Sequence, residues 1–131
     1  MSIDPDVPPT ISLSSVSLII LSAILWGSTD ACMKYFSPPA KSNTSGLFSY
    51  FLSLLSTPYY LLCLLTNQLG SLVYYYSLAT APLSLVNPVV NTGKVLVNVL
   101  VGRALGEQHL SGKKCLGLSL LLLGIVLQIT V

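Results

Sequence analysis

Two charged residues stand inside long apolar runs of this chain, Lys94 and Asp30, and they are where its chemistry could begin. A lysine near the middle of a bilayer costs about 2.5–3.5 kcal/mol on insertion scales, so such a residue turns toward protein or water. Around it Asn87, Asn91 and Asn98 recur at intervals that place all four on one helical face. Asn67, Gln68 and Ser71 form a second polar set, followed within two turns by Tyr74, Tyr75 and Tyr76. An ammonium group among amides can bind an anion such as a phosphate or carboxylate. The alternative is an ion pair with Asp30, contested by Lys34 four residues further on, while the amides only hydrogen-bond between helices.

No enzyme constellation accompanies these residues. His109 stands in a connection with Glu107 and reads as solvated, no carboxylates pair within an apolar run, and no metal or cofactor site is expected. Cys32, Cys63 and Cys115 are widely spaced and odd in number, which suggests apolar packing residues and no disulfide framework. Cys115 follows Lys113 and Lys114, a setting in which S-palmitoylation occurs.

The elements that must position the polar set are membrane helices. Of the 131 residues 53% are hydrophobic and 8% charged, and the mean hydropathy is +0.79. Such a chain has lipid, not water, around it. Its net charge of +2 gives no basis for nucleic-acid binding. A polar tail, 1–10, precedes a single membrane domain, 11–131. Spans are expected at about 11–35, 58–80, 84–104 and 115–131, each near the length a hydrocarbon layer of about 30 Å requires. The run from Leu47 to Thr80 is too long for one ordinary span, and Pro58 divides it into a short interfacial helix, 47–56, and the second crossing. One long tilted helix is the alternative. The class expected is all-α, with about four transmembrane helices.

Lys34 and Lys41 flank the first connection, and Arg103, Lys113 and Lys114 flank the third, whereas the termini and second connection carry no basic residue. The positive-inside rule puts both termini on the non-cytoplasmic side. The sequon Asn43-Thr44-Ser45 then lies in the cytoplasm, and a glycan on Asn43 would invert the topology. The default location is the endoplasmic reticulum or another endomembrane. Gly102 with Gly106, and Gly117 with Gly124, share helix faces on which other helices could pack closely, within the chain or in a dimer, and Gln128 continues the Gly124 face.

The stretch Leu65-Thr66-Asn67-Gln68-Leu69-Gly70-Ser71-Leu72-Val73-Tyr74-Tyr75 resembles a signature of the transmembrane protein 234 family, and Gly102-Arg103-Ala104-Leu105-Gly106-Glu107 resembles a second. The resemblance runs from about Thr66 to Thr130, with a weaker match at Leu25-Trp26-Gly27. It implies a bundle like that of the drug/metabolite transporter superfamily, similar to the small multidrug resistance proteins and small flippase subunits. By the same resemblance Gly117 and Gly124 match glycines through which the small multidrug proteins dimerise. Their membrane glutamate has no counterpart at Ala23 to Gly27, and Asp30 lies about a turn beyond. Where Lys94 stands, the family pattern implies an apolar or small residue.

Two functions follow as expectations. One is a transporter- or flippase-like protein, a homodimer in membrane lipid, whose cavity of Asp30, Asn67, Gln68, Asn91 and Lys94 takes an anionic metabolite or lipid headgroup. The other is an accessory subunit of a larger membrane complex, with the polar and glycine faces as docking surfaces.

Overall fold

The computed structural model describes residues 11–39, 46–107, 109 and 111–130. The tail, Lys41, the Asn43 sequon and Val131 lie outside the described residues. Five helices make up the described chain: α1 (Leu13–Phe36), α2 (Leu47–Leu55), α3 (Pro58–Thr80), α4 (Leu83–Ala104) and α5 (Gly112–Thr130).

Local signals account for their limits. Ser12 caps α1, its hydroxyl accepting from the Ser15 amide at 3.2 Å. The same helix stops at Phe36 because Ser37 precedes Pro38, and a residue before proline is pushed into extended backbone. Pro58 opens α3, where its missing N–H costs nothing. Because Thr57 is extended just before it, α2 and α3 are separate helices bent by 83°, and not one tilted helix. α5 begins at Gly112, three residues ahead of the hydropathic boundary at Cys115, because the Ser111 carbonyl accepts from the amides of Lys114 and Cys115. Its first turn therefore carries the two lysines.

α1 and α4 are each long and apolar enough to cross a membrane, and the bent pair α2–α3 is so when taken together. α5 has 19 residues, about 28 Å of helix at 1.5 Å per residue.

α1, α3, α4 and α5 run up, down, up, down. Ser15 donates to the Thr80 carbonyl at 3.2 Å and Phe36 stacks on Tyr59 at 5.3 Å, so α3 returns antiparallel to α1. α4 runs alongside α1 in the same direction: Val86 and Val90 pack on Ile19 and Ala23, and beyond the helix Glu107 meets Lys34 at 3.7 Å. Lys34, Arg103, Lys113 and Lys114 consequently sit at one end of the bundle. α1 is the central element, packed against α3 on one side and α4 on the other, while α3 and α4 barely touch and α5 leans on α4 alone.

Close approach explains why α1 is central. Within it Ser15, Ile19, Ala23, Gly27 and Ala31 recur every fourth residue and all are buried, a stripe of mostly small side chains. In lipid, association gains little from hydrophobic burial and depends on how near two backbones can come. A Cβ on Gly27 would lie 2.6 Å from the Lys94 carbonyl and 2.6 Å from Val97 Cβ, and one on Gly93 would lie 2.9 Å from Ala23 Cβ. The α1–α4 contact thus needs glycine at two places.

Pro88 stands inside α4 without breaking it. It removes the N–H that would have bonded the Ser84 carbonyl, and Gln128 of α5 donates its side-chain N–H to that same carbonyl. This cross-helix hydrogen bond repairs the defect that Pro88 makes. Gln128→Leu is expected to remove this bond and to destabilise α5 docking by about 0.5–1.5 kcal/mol, since both groups are exposed. Hydrogen exchange of the α5 amides checks this: faster exchange in α5 with α1 unchanged is the expected result.

Candidate functional site

The site is built where the middles of α1, α3 and α4 meet. Lys94 Nζ lies 2.8 Å from Asp30 Oδ2, so α4 supplies the cation and α1 the anion, and the competing Lys34 is drawn to Glu107 instead. From α3, Asn67 Nδ2 donates to Asp30 Oδ1 at 3.1 Å and to Thr29 Oγ1 at 2.8 Å. Thr29 in turn donates to the Leu25 carbonyl at 2.6 Å. Both carboxylate oxygens and both amide hydrogens are used, so the network has a fixed hydrogen-bond direction.

Trp26 ties the three helices together. Its Nε1 donates to the Asn67 carbonyl at 3.2 Å, its ring lies 5.5 Å from the Lys94 ammonium, and the Tyr74 ring is 5.0 Å away. The indole fits against α3 only because Gly70 has no side chain, since a Cβ there would lie 2.7 Å from Trp26 Cδ1. Tyr74 donates its hydroxyl to Asn87 Oδ1, joining α3 to α4 two turns from Lys94.

The pair is not sealed. Lys94 keeps 35% and Asp30 26% of side-chain area exposed, because α3 and α4 flank α1 without closing on each other. Asn91, a turn from Lys94, is exposed, and Asn98 Oδ1 is buried with no hydrogen-bond partner among the described residues. An open ion pair with amides beside it can exchange its internal partners for those of a ligand.

Of the polar residues expected in one seam, the structure brings together Asp30, Asn67, Lys94 and, through Tyr74, Asn87. Gln68 and Ser71 are not among them. They line an apolar groove with Leu62, Leu65, Leu69 and Leu72 on the outer face of α3. Gln68 follows Asn67 by about 100° around the helix, so when Asn67 faces α1 its neighbour must face away.

The glycine expectations also divide. Gly102 is buried on α4, but Gly106 lies past the end of that helix with φ +78°. Its amide bonds the Arg103 carbonyl at 3.0 Å, and the Glu107 amide bonds the Gly102 carbonyl at 2.9 Å. This is a Schellman cap, so Gly106 turns the chain and does not extend a packing face. Gly117 and Gly124 have nothing within 4 Å of where a Cβ would point among the described residues, although Gly117 borders a groove that α5 forms with Val95 and Val99 of α4.

Sequence reasoning passed over Trp26, Thr29, Gly27 and Gly70 as site residues. A signal existed for the first: a lone tryptophan in mid-helix is out of its usual interfacial place. The cysteines are unbonded, Cys32 and Cys63 half-buried and Cys115 exposed, and His109 is exposed. No group of three or more metal-ligating side chains occurs among the described residues.

A helical bundle with two or three membrane-crossing helices and a polar network at their centre defines a polytopic membrane protein. Residues 19–129 match the sequence profile of transmembrane family 234. The chain is 34% identical over 126 residues to a transmembrane protein 234 homolog of Anopheles gambiae, covering 92% of this chain and 90% of that one. It is 32% identical over 117 residues to the homolog of Dictyostelium discoideum, with 86% and 91% covered. The chain belongs to the transmembrane protein 234 family. No solved structure matches it.

Proposed function

We propose that this chain is a small transporter- or flippase-like protein whose cleft between α3 and α4 takes an anionic metabolite or lipid headgroup at Lys94. The observation that carries this reading is the open ion pair. A Lys–Asp pair that served packing alone would gain most from being enclosed, since partial contact with lipid leaves the insertion cost of each charge incompletely offset. Here both side chains keep part of their area exposed where α3 and α4 flank α1 without closing on each other, with the exposed Asn91 a turn away on α4. The gathering of Lys34, Arg103, Lys113 and Lys114 at one end of the bundle supports placing that end in the cytoplasm. Counting the 19-residue α5 as a fourth crossing beside α1, the bent pair α2–α3 and α4, both termini then lie on the opposite side, in an endomembrane by default.

The unfilled space at the Cβ positions of Gly117 and Gly124 supports a homodimer through α5. The same observation favours a second reading, an accessory subunit whose α5 docks on a different protein. The mass and composition of the particle extracted from its own cells in a mild detergent separates the two. A particle of this chain alone, near twice 14.0 kDa of protein, is the expected result. Foreign chains in stoichiometric amount would overturn it in favour of the subunit reading.

A further inference from the structure

We infer that the ligand group taken at Lys94 and Asp30 is a zwitterion, an anionic phosphate or carboxylate carrying an ammonium group on a short linker. The inference rests on the binding cleft proposed above and narrows what the cleft selects. Lys94 is not a vacant cation, because Asp30 holds it at 2.8 Å. A simple anion that takes the lysine leaves Asp30 with only the Asn67 amide, a carboxylate without its counter-charge inside a membrane domain. A simple cation that takes Asp30 leaves Lys94 in the same position. A ligand with both charges inserts into the pair and satisfies both.

The surroundings fit each half of such a ligand. Beside Asp30 the Trp26 ring already receives an ammonium, that of Lys94 at 5.5 Å, and the Tyr74 ring lies 5.0 Å from it. A ligand ammonium replacing Lys94 there keeps both the carboxylate and the aromatic face. On the other side Lys94, released toward the cleft, meets the anionic half, and the exposed Asn91 a turn away can donate to its remaining oxygens. Phosphoethanolamine has this chemistry, either as a free solute or as the headgroup of a phospholipid.

Trp26 is the one tryptophan of the chain, so its emission reports on this site alone. The purified full chain in an uncharged maltoside detergent is titrated with phosphoethanolamine, methyl phosphate and ethylammonium. The same emission is followed in nanodiscs of phosphatidylglycerol containing increasing phosphatidylethanolamine. The expected result is a saturable change with a zwitterion, at an apparent Kd at least about tenfold below those of the two probes that carry charge of one sign only. A response to the solute in detergent assigns a free metabolite, and a response in the nanodiscs alone assigns the lipid headgroup. Methyl phosphate binding as tightly as phosphoethanolamine would overturn the inference while leaving the anion cleft standing, and ethylammonium binding as tightly would overturn both. No saturable response to any probe, in detergent or nanodisc, would also overturn both.

Discussion

Gly27→Val is expected to part α1 from α4 and to lower the stability of the bundle by about 1–3 kcal/mol, the usual cost of overpacking, or more where backbone must move. The neighbour that a Cβ would strike at 2.6 Å is the Lys94 carbonyl, part of a helix and unable to rotate away as a side chain could. Separation at this point also carries Lys94 away from Asp30, so the variant should lose the site along with the packing. Gly112→Val, in the first turn of α5 and off the proposed dimer face, supplies the comparison, since a Cβ there meets nothing within 4 Å. Within the monomer that substitution should change stability by no more than about 0.5 kcal/mol. Thermal unfolding in detergent, followed by Trp26 emission, measures both. Equal losses at the two positions would contradict the central place given to α1.

Asp30→Ala has a comparably large expected effect for an electrostatic reason. It leaves Lys94 cationic in the middle of the bundle and takes from Asn67 one of its two acceptors. Removing one partner of a buried pair costs about 3–5 kcal/mol. With 35% and 26% of the two side chains exposed, the lower end of that range is expected. Lys94→Met in the same chain should then restore most of the loss, because an apolar pair of similar bulk needs no counter-charge. Chemical unfolding of the single and double variants closes the cycle. A double variant less stable than Asp30→Ala would mean that Lys94 contributes to folding by contacts other than this pair.

Much of this arrangement can be read from residue order. Apolar runs bounded by Pro38, Pro58 and Pro82, with the last run read from about Cys115, give all five helices within three residues of their limits, because proline acts locally. The Lys94–Asp30 pair is legible too, since a lone acid and a lone base in apolar runs have few other partners. Less legible is which neighbour each face meets. Asn67 and Gln68 are equally polar and adjacent, and only the placement of α3 against α1 decides that one enters the network while the other faces outward. Gly106 misleads for a different reason: its spacing from Gly102 suits a packing face, but the helix has already ended and a left-handed residue is needed there. The most informative pattern is the fourth-residue repeat Ser15, Ile19, Ala23, Gly27, Ala31. It can be seen in the sequence, yet it acquires meaning only once small residues are recognised as what lets membrane helices approach.

The most direct test of the account is whether the chain alone moves a headgroup in a manner that needs Lys94. Purified wild-type and Lys94→Met proteins are reconstituted in vesicles containing phosphatidylserine or phosphatidylethanolamine labelled on the acyl chain, and the fraction of label open to an impermeant quencher is followed. The wild-type chain is expected to bring inner-leaflet lipid to the outer face, and Lys94→Met vesicles should behave as protein-free ones do. Lipid movement undiminished in Lys94→Met would contradict the account, and a wild type indistinguishable from empty vesicles would contradict its lipid-headgroup form, leaving a free anionic solute as the ligand.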